Sequence, residues 1–147
     1  MDFFTELGVL GLFVSSFLAA TILPMGSEVI LVALLLSEVN PVILVVVATI
    51  GNVLGSLVNY GIGFLGGTFL QRRVLKVSEA EFEKLEQRFR KLGVWSLLFA
   101  WVPIVGDPLT LIAGGLRINI LLFLLLVTLG KFGRYLAVAY VTLPNGF

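Results

Sequence analysis

Residues 41–70 run for thirty positions without a single Asp, Glu, Lys or Arg. About 20 consecutive apolar residues are enough to cross roughly 30 Å of hydrocarbon as a helix. This run exceeds that length, so the chain must fold with lipid as part of its solvent. Three shorter uncharged runs, 7–25, 92–106 and 118–130, qualify as spans only with help from their flanks, or are not simple spans. The whole chain agrees: 59% of its 147 residues are apolar, 13% are charged, and mean hydropathy is +1.08. Soluble domains hold roughly 45–50% apolar and about 25% charged residues. The reading is one polytopic, all-helical membrane domain.

Several function classes drop out at once. The chain has no cysteine and no histidine, which removes disulfides, thiolate nucleophiles, imidazole acid–base chemistry and Cys/His metal sites. No enzyme mechanism suggests itself, and no metal or cofactor is expected. Asp2 and Glu6 precede the first apolar run, where a cleaved signal would carry Lys or Arg. That run is therefore expected to stay with the protein.

The one strongly polar segment is 71–93, with seven cations (Arg72, Arg73, Lys76, Lys84, Arg88, Arg90, Lys91) and four glutamates. Positive-inside bias places it in the cytoplasm. Ser78 and Glu81 make a capping box, Phe82, Leu85, Phe89 and Leu92 recur at helical spacing, Glu86 and Arg90 form an i,i+4 pair, and Gly93 closes the helix. The expectation is an amphipathic helix on the inner membrane surface, and no nucleic-acid partner.

A repeat organises the remainder. Pro24 and Glu28 in LPMGSE match Pro103 and Asp107 in VPIVGD; Thr49 and Gly51 match Thr128 and Gly130. All four pairs are 79 residues apart, and internal duplication is a habit of transporter folds. Each half then holds an apolar stretch, a break at a proline followed by an acid, a short apolar stretch, a turn and one long span. The pieces after the breaks, 29–36 and 108–116, make only about 12–14 Å of helix and cannot cross. Two topologies follow. In one, 7–36 and 94–116 are re-entrant hairpins with Pro24, Gly26, Pro103 and Gly106 at their tips, the spans are 42–70 and 118–143, and the repeats are inverted. In the other, each hairpin is one kinked span and the repeats are parallel. Both need a polar interior, because broken backbone at membrane depth must be satisfied by protein or water.

The candidate site follows from charges placed where lipid penalises them. Glu28 and Asp107 sit at helix starts, where capping and the helix dipole favour an acid. Lys131 and Arg134 lie one turn apart near the middle of the last span, where each costs about 2.5–3.5 kcal/mol on insertion scales. One reading is neutralising ion pairs between these acids and cations. The other uses the same residues: Lys131 and Arg134 with the half-helix N-termini hold an anion, and Glu28 and Asp107 carry protons or cations. Asn52, Ser56, Asn59 and Gly63 share a face of 42–70. Asn52, the repeat-mate of Lys131, and Asn59 are expected to add hydrogen bonds to that cavity. Gly51/Gly55 and Gly63/Gly67 are packing motifs, and a homodimer joined through them would help wall off the cavity. Arg117 and Asn119 mark an interface, and Tyr135 and Tyr140 are read as packing or interface residues.

These stretches together resemble the DedA/VTT-domain (SNARE-associated) membrane family, and within it the short, YqaA-like branch. SFLAATILPMGSEVILVALL looks like the first Pro-and-Glu motif, LLFAWVPIVGDPLTLIAGGLRI like the second, with Ala113–Gly114, and LGKFGRYLAVAYV like the final span. The resemblance implies two inverted repeats of re-entrant hairpin plus span, residence in the cell inner membrane, and proton-coupled movement of an anionic lipid or lipid-phosphate carrier. It also carries over Glu28 as the essential acid. One departure is plain: longer relatives place arginines three residues either side of the second proline, where this chain has Ala100 and Gly106, leaving Lys131 and Arg134 as the cations at hand.

Overall fold

The computed structural model describes residues 3–21, 26–75, 79–101, 106–143 and 145. Among them every regular element is helical: α1 (Phe3–Thr21), α2 (Gly26–Leu36), α3 (Pro41–Leu75), α4 (Glu79–Leu92), a 3-10 segment (Gly93–Trp101), α5 (Gly106–Gly115) and α6 (Ile120–Thr142). Two stretches, Pro41–Leu65 and Ile120–Thr142, are long and apolar enough to cross a membrane. At about 1.5 Å per residue, α3 reaches about 52 Å, well beyond a 30 Å hydrocarbon layer. Its C-terminal end runs into the polar segment. Outward-facing side chains on α3 (Val42, Val46, Ile50) and on α6 (Leu121, Leu125, Leu129) are 41–73% exposed. They form apolar stripes at i,i+4 spacing, as lipid contact requires.

The chain divides into two compact units, Met1–Gly55 with Lys131–Phe147, and Ser56–Gly130. In the first, α1 and α2 fold back on one another as a helical hairpin. A Cβ added at Gly8, near the start of α1, would lie 2.7 Å from the Leu34 side chain, near the end of α2. A continuous helix would hold those two residues about 39 Å apart. Leu12, Leu31 and Leu35 of the hairpin pack with Leu44, Val45 and Ala48 of α3 and with Tyr135 and Ala139 of α6. In lipid such packing draws little on the hydrophobic effect and depends on close fit. Gly51 and Gly55 supply it: a Cβ at either would come within 2.6 Å or 2.5 Å of the Phe13 or Phe17 carbonyl oxygen.

In the second unit, Gly63 lies against the Leu111 carbonyl and Gly114 against the Tyr60 carbonyl, both too close for a side chain. The Tyr60 hydroxyl donates to the Ile118 carbonyl at 2.5 Å, and its ring packs on Phe123 with centroids 4.7 Å apart. Gly51, Gly55 and Gly63 thus spend their close approaches within the chain. The 3-10 segment packs on α4 and α5; Gly93, at φ 73°, ends α4 as expected. Phe89 is the buried anchor of α4, and Arg90 donates to Glu86 at 2.9 Å. Ser78 and the side chains of Phe82 and Leu85 lie outside the described residues.

The turns that lead into α3 and α6 carry the same bonds, shifted by 79 residues. Among the described residues, Glu38 (φ 63°) and Arg117 (φ 55°) are the non-glycine residues in the left-handed region. Glu38 N–H donates to Leu35 and Val39 N–H to Leu34; Arg117 N–H donates to Gly114 and Ile118 N–H to Ala113. Both are Schellman closures. The side chains of Asn40 and Asn119 then cap the next helices, accepting from Val42 and from Leu121 at 2.9 Å each. Pro41, whose missing N–H costs nothing at the first helical position, follows Asn40.

Candidate functional site: a buried charge cluster

Four of the sequence-expected residues meet inside the first unit. Arg134 of α6 forms an ion pair with Glu28 of α2; their side chains are 13% and 20% exposed. One turn earlier on α6, Lys131 is 1% exposed, and its ammonium donates to the Asn52 side-chain oxygen. The Asn52 amide nitrogen donates in turn to the Ser16 carbonyl of α1 at 2.8 Å. Three helices are therefore tied through one asparagine. The position of Glu28 in the first turn of α2 adds a favourable dipole to its ion pair.

Around this pair of contacts lie groups whose polarity apolar surroundings would otherwise penalise. The hydroxyls of Ser27 and Tyr135, both buried, share a hydrogen bond of 2.8 Å. The buried Ser16 hydroxyl and the second Glu28 oxygen, Oε2, have no hydrogen-bond partner among the described residues. Chemically, the cluster combines an acid, two cations, an amide and hydroxyls among apolar helices. Such a set can hold an oxyanion or exchange a proton once the Glu28–Arg134 contact opens.

Asn59 lies elsewhere, in the second unit, where its amide donates to the Thr110 hydroxyl at 3.3 Å. Gly106 opens α5. Pro24, Pro103 and the side chain of Asp107 lie outside the described residues. Sequence reasoning passed over Ser16, Thr110 and Asn40, and read Asn119 as an interface marker rather than a cap. The asparagines carried a usable signal, since both stand just ahead of a long apolar run and are 79 residues apart. Ser16 carried none beyond its place among small residues. No group of three or more potential metal ligands occurs among the described residues.

A VTT domain family model matches residues 23–143. The inner membrane protein YqaA of Escherichia coli is 44% identical over 140 residues, 95% of this chain and 94% of its own. An uncharacterized protein of Haemophilus influenzae is 38% identical over 97% of this chain and 92% of its own. A more distant relative, an alkaline phosphatase-like protein of Lactococcus lactis, is 32% identical over 73% of this chain and 56% of its own length. No solved structure matches. A membrane-spanning helical fold, a family match over most of the length and high identity across nearly all of it converge: the chain belongs to the VTT-domain (DedA-type) family, and its place is the cell inner membrane.

Proposed function

We propose that this protein is a small transporter or lipid flippase of the inner membrane, proton-coupled, that moves an anionic or lipid-phosphate substrate through a polar cavity at membrane depth. The observation that carries the reading is the burial of Lys131 and of the Glu28–Arg134 pair one turn apart on α6. Each such charge opposes membrane insertion by about 2.5–3.5 kcal/mol, a cost that substrate handling explains. Lys131 and Arg134, with hydrogen bonds from Asn52, are the anion-binding groups; Glu28 is the proton-coupling acid, with its repeat-mate Asp107 as the second. Asn59, two turns along α3 from Asn52, would add a further hydrogen bond to the substrate path.

The topology that goes with this reading is a pair of inverted repeats with re-entrant hairpins. Support comes from the fold-back of α1 on α2, from the two matching turns, and from charge. With α1–α2 and the 3-10 segment–α5 as hairpins, Arg117 falls on the same side as the seven cations of 71–93. That gathers eight of the ten Lys and Arg residues on one face, in keeping with positive-inside bias. Four kinked spans would put Arg117 on the opposite side.

Transport is tested in proteoliposomes loaded with a lipid-phosphate or small anionic probe. Glu28→Gln and Arg134→Ala should each abolish uptake at normal folded yield; wild-type rates in either variant sink the proposal. A second reading, a membrane scaffold with structural charges, is favoured by the Glu28–Arg134 contact itself. It would lose function on removal of the 71–93 cations and keep it when the internal pair is exchanged.

A further inference from the structure

The surface of α4 carries a second charged feature that the buried cluster does not use. Lys84, Gln87, Arg88 and Lys91 stand at i, i+3, i+4 and i+7 and therefore on one stripe. Together they line a groove of about 340 Å³. Two of the glutamates of α4 lie off that stripe. Glu86 is engaged by Arg90 at 2.9 Å and Glu83 shares their side of the helix, while Glu81, three residues before Lys84, stands at the N-terminal end of the stripe. Phe89 fastens the third face of α4 into the protein. Immediately along the chain, Leu92, Trp95 and Phe99 are 55%, 65% and 51% exposed. A concave patch lined, among the described residues, by three cations and one neutral amide is thus followed along the chain by exposed aromatic and aliphatic side chains.

We propose that this groove binds the headgroup of an anionic phospholipid of the inner leaflet, with Lys84, Arg88 and Lys91 on the phosphodiester and the Gln87 amide on neighbouring ester or glycerol oxygens. Trp95 and Phe99 meet the upper acyl chains, the depth at which aromatic side chains settle. Charge complementarity selects the ligand. Guanidinium and ammonium donors favour phosphate oxygens, and a zwitterionic lipid would bring its own cation into a groove already positive. Because α4 packs on the 3-10 segment and on α5, an occupied groove steadies the second hairpin from the cytoplasmic side. The proposal rests on the cytoplasmic placement of 71–93 made above, and it stands apart from transport.

The test uses the full chain with Trp101→Phe, which leaves Trp95 as its single tryptophan, reconstituted in phosphatidylcholine nanodiscs. Brominated phosphatidylglycerol should quench Trp95 at a lower mole fraction than brominated phosphatidylcholine. Selectivity should fall about fivefold for each groove cation removed, the equivalent of about 1 kcal/mol. Arg88→Gln should therefore lower it, and Lys84→Gln/Arg88→Gln/Lys91→Gln should remove it. Arg90→Gln, which deletes the same charge outside the groove, should leave it unchanged. Equal quenching by the two lipids, or equal losses in Arg88→Gln and Arg90→Gln, would overturn the groove. Because the readout is lipid contact, it is indifferent to whether uptake succeeds in the transport assay.

Discussion

Asn52 and Lys131 are 79 residues apart, the interval of the repeat, and their side chains are hydrogen-bonded to each other. Contact between such positions is what the proposed inverted repeat would produce near its axis. The bond joins an otherwise costly buried ammonium to an amide that is itself anchored on Ser16. Asn52→Leu should therefore destabilise by about 1–3 kcal/mol, because it takes a partner from a buried charge. Asn52→Leu combined with Lys131→Met should recover much of that loss. Unfolding in mixed micelles across the four-member cycle should give a coupling of about 0.5–3 kcal/mol; additivity would mean the bond contributes nothing.

The matching turns make a quantitative prediction of symmetry. Glu38 and Arg117 occupy left-handed backbone that costs a non-glycine residue about 1–2 kcal/mol, offset in part by the extra unfolded-state freedom of glycine. Glu38→Gly and Arg117→Gly should each raise stability, by similar amounts of about 0.5–1 kcal/mol. Asn40→Ala and Asn119→Ala should each lower it by about 1 kcal/mol through loss of a cap. Thermal unfolding of the four variants checks whether the two turns respond alike.

The same two positions report topology. The protein has no cysteine, so a cysteine introduced at Glu38 or Arg117, both exposed, is the sole label site. Inverted repeats place the two on opposite faces. A membrane-impermeant maleimide added to intact cells should modify Glu38→Cys, and should reach Arg117→Cys only after the inner face is opened. Labelling of both from outside is the outcome expected of four kinked spans.

Glycine packing separates close approach from mere smallness. Gly114→Ala would drive a methyl group into the Tyr60 carbonyl, whereas Gly61→Ala meets nothing within 4 Å. The first should cost about 1–3 kcal/mol by overpacking. The second should be neutral or stabilise by up to about 1 kcal/mol through helix propensity. Folded yield and unfolding midpoints of the two variants read this directly.

The spans and the α4 helix were legible because hydropathy and capping are local or additive signals. Partners were less so. Gly51 and Gly55 announced close packing, but the choice of Phe13 and Phe17 carbonyls as neighbours depends on how α1 docks, which no periodicity encodes. Lys131 was recognisable as a costly cation and Asn52 as its repeat-mate. That the two touch depends on where α3 and α6 cross. The 3-10 path of 93–101 was also hidden, since an apolar, aromatic run gives the same periodic content to either kind of helix. Ser16 and Thr110 are ordinary small polar residues in sequence and matter only through the groups they face.

The Glu28–Arg134 contact separates folding from function, and the separation can be measured. Removing one partner strands the other in apolar surroundings, a loss of about 3 kcal/mol or more for a buried pair, moderated here because both side chains keep some exposure. Glu28→Gln and Arg134→Gln should each lower the unfolding midpoint, and the double variant should lower it less than either single change. Stability should also return in the exchanged variant Glu28→Arg/Arg134→Glu, because attraction is indifferent to which helix carries which sign. Transport is not. The exchanged pair puts a cation at the start of α2, against its dipole, and an acid beside Lys131, where an anionic substrate should bind. A transporter with Glu28 as proton carrier therefore stays inactive when its stability is restored. Recovery of uptake together with stability would assign the pair to the fold alone.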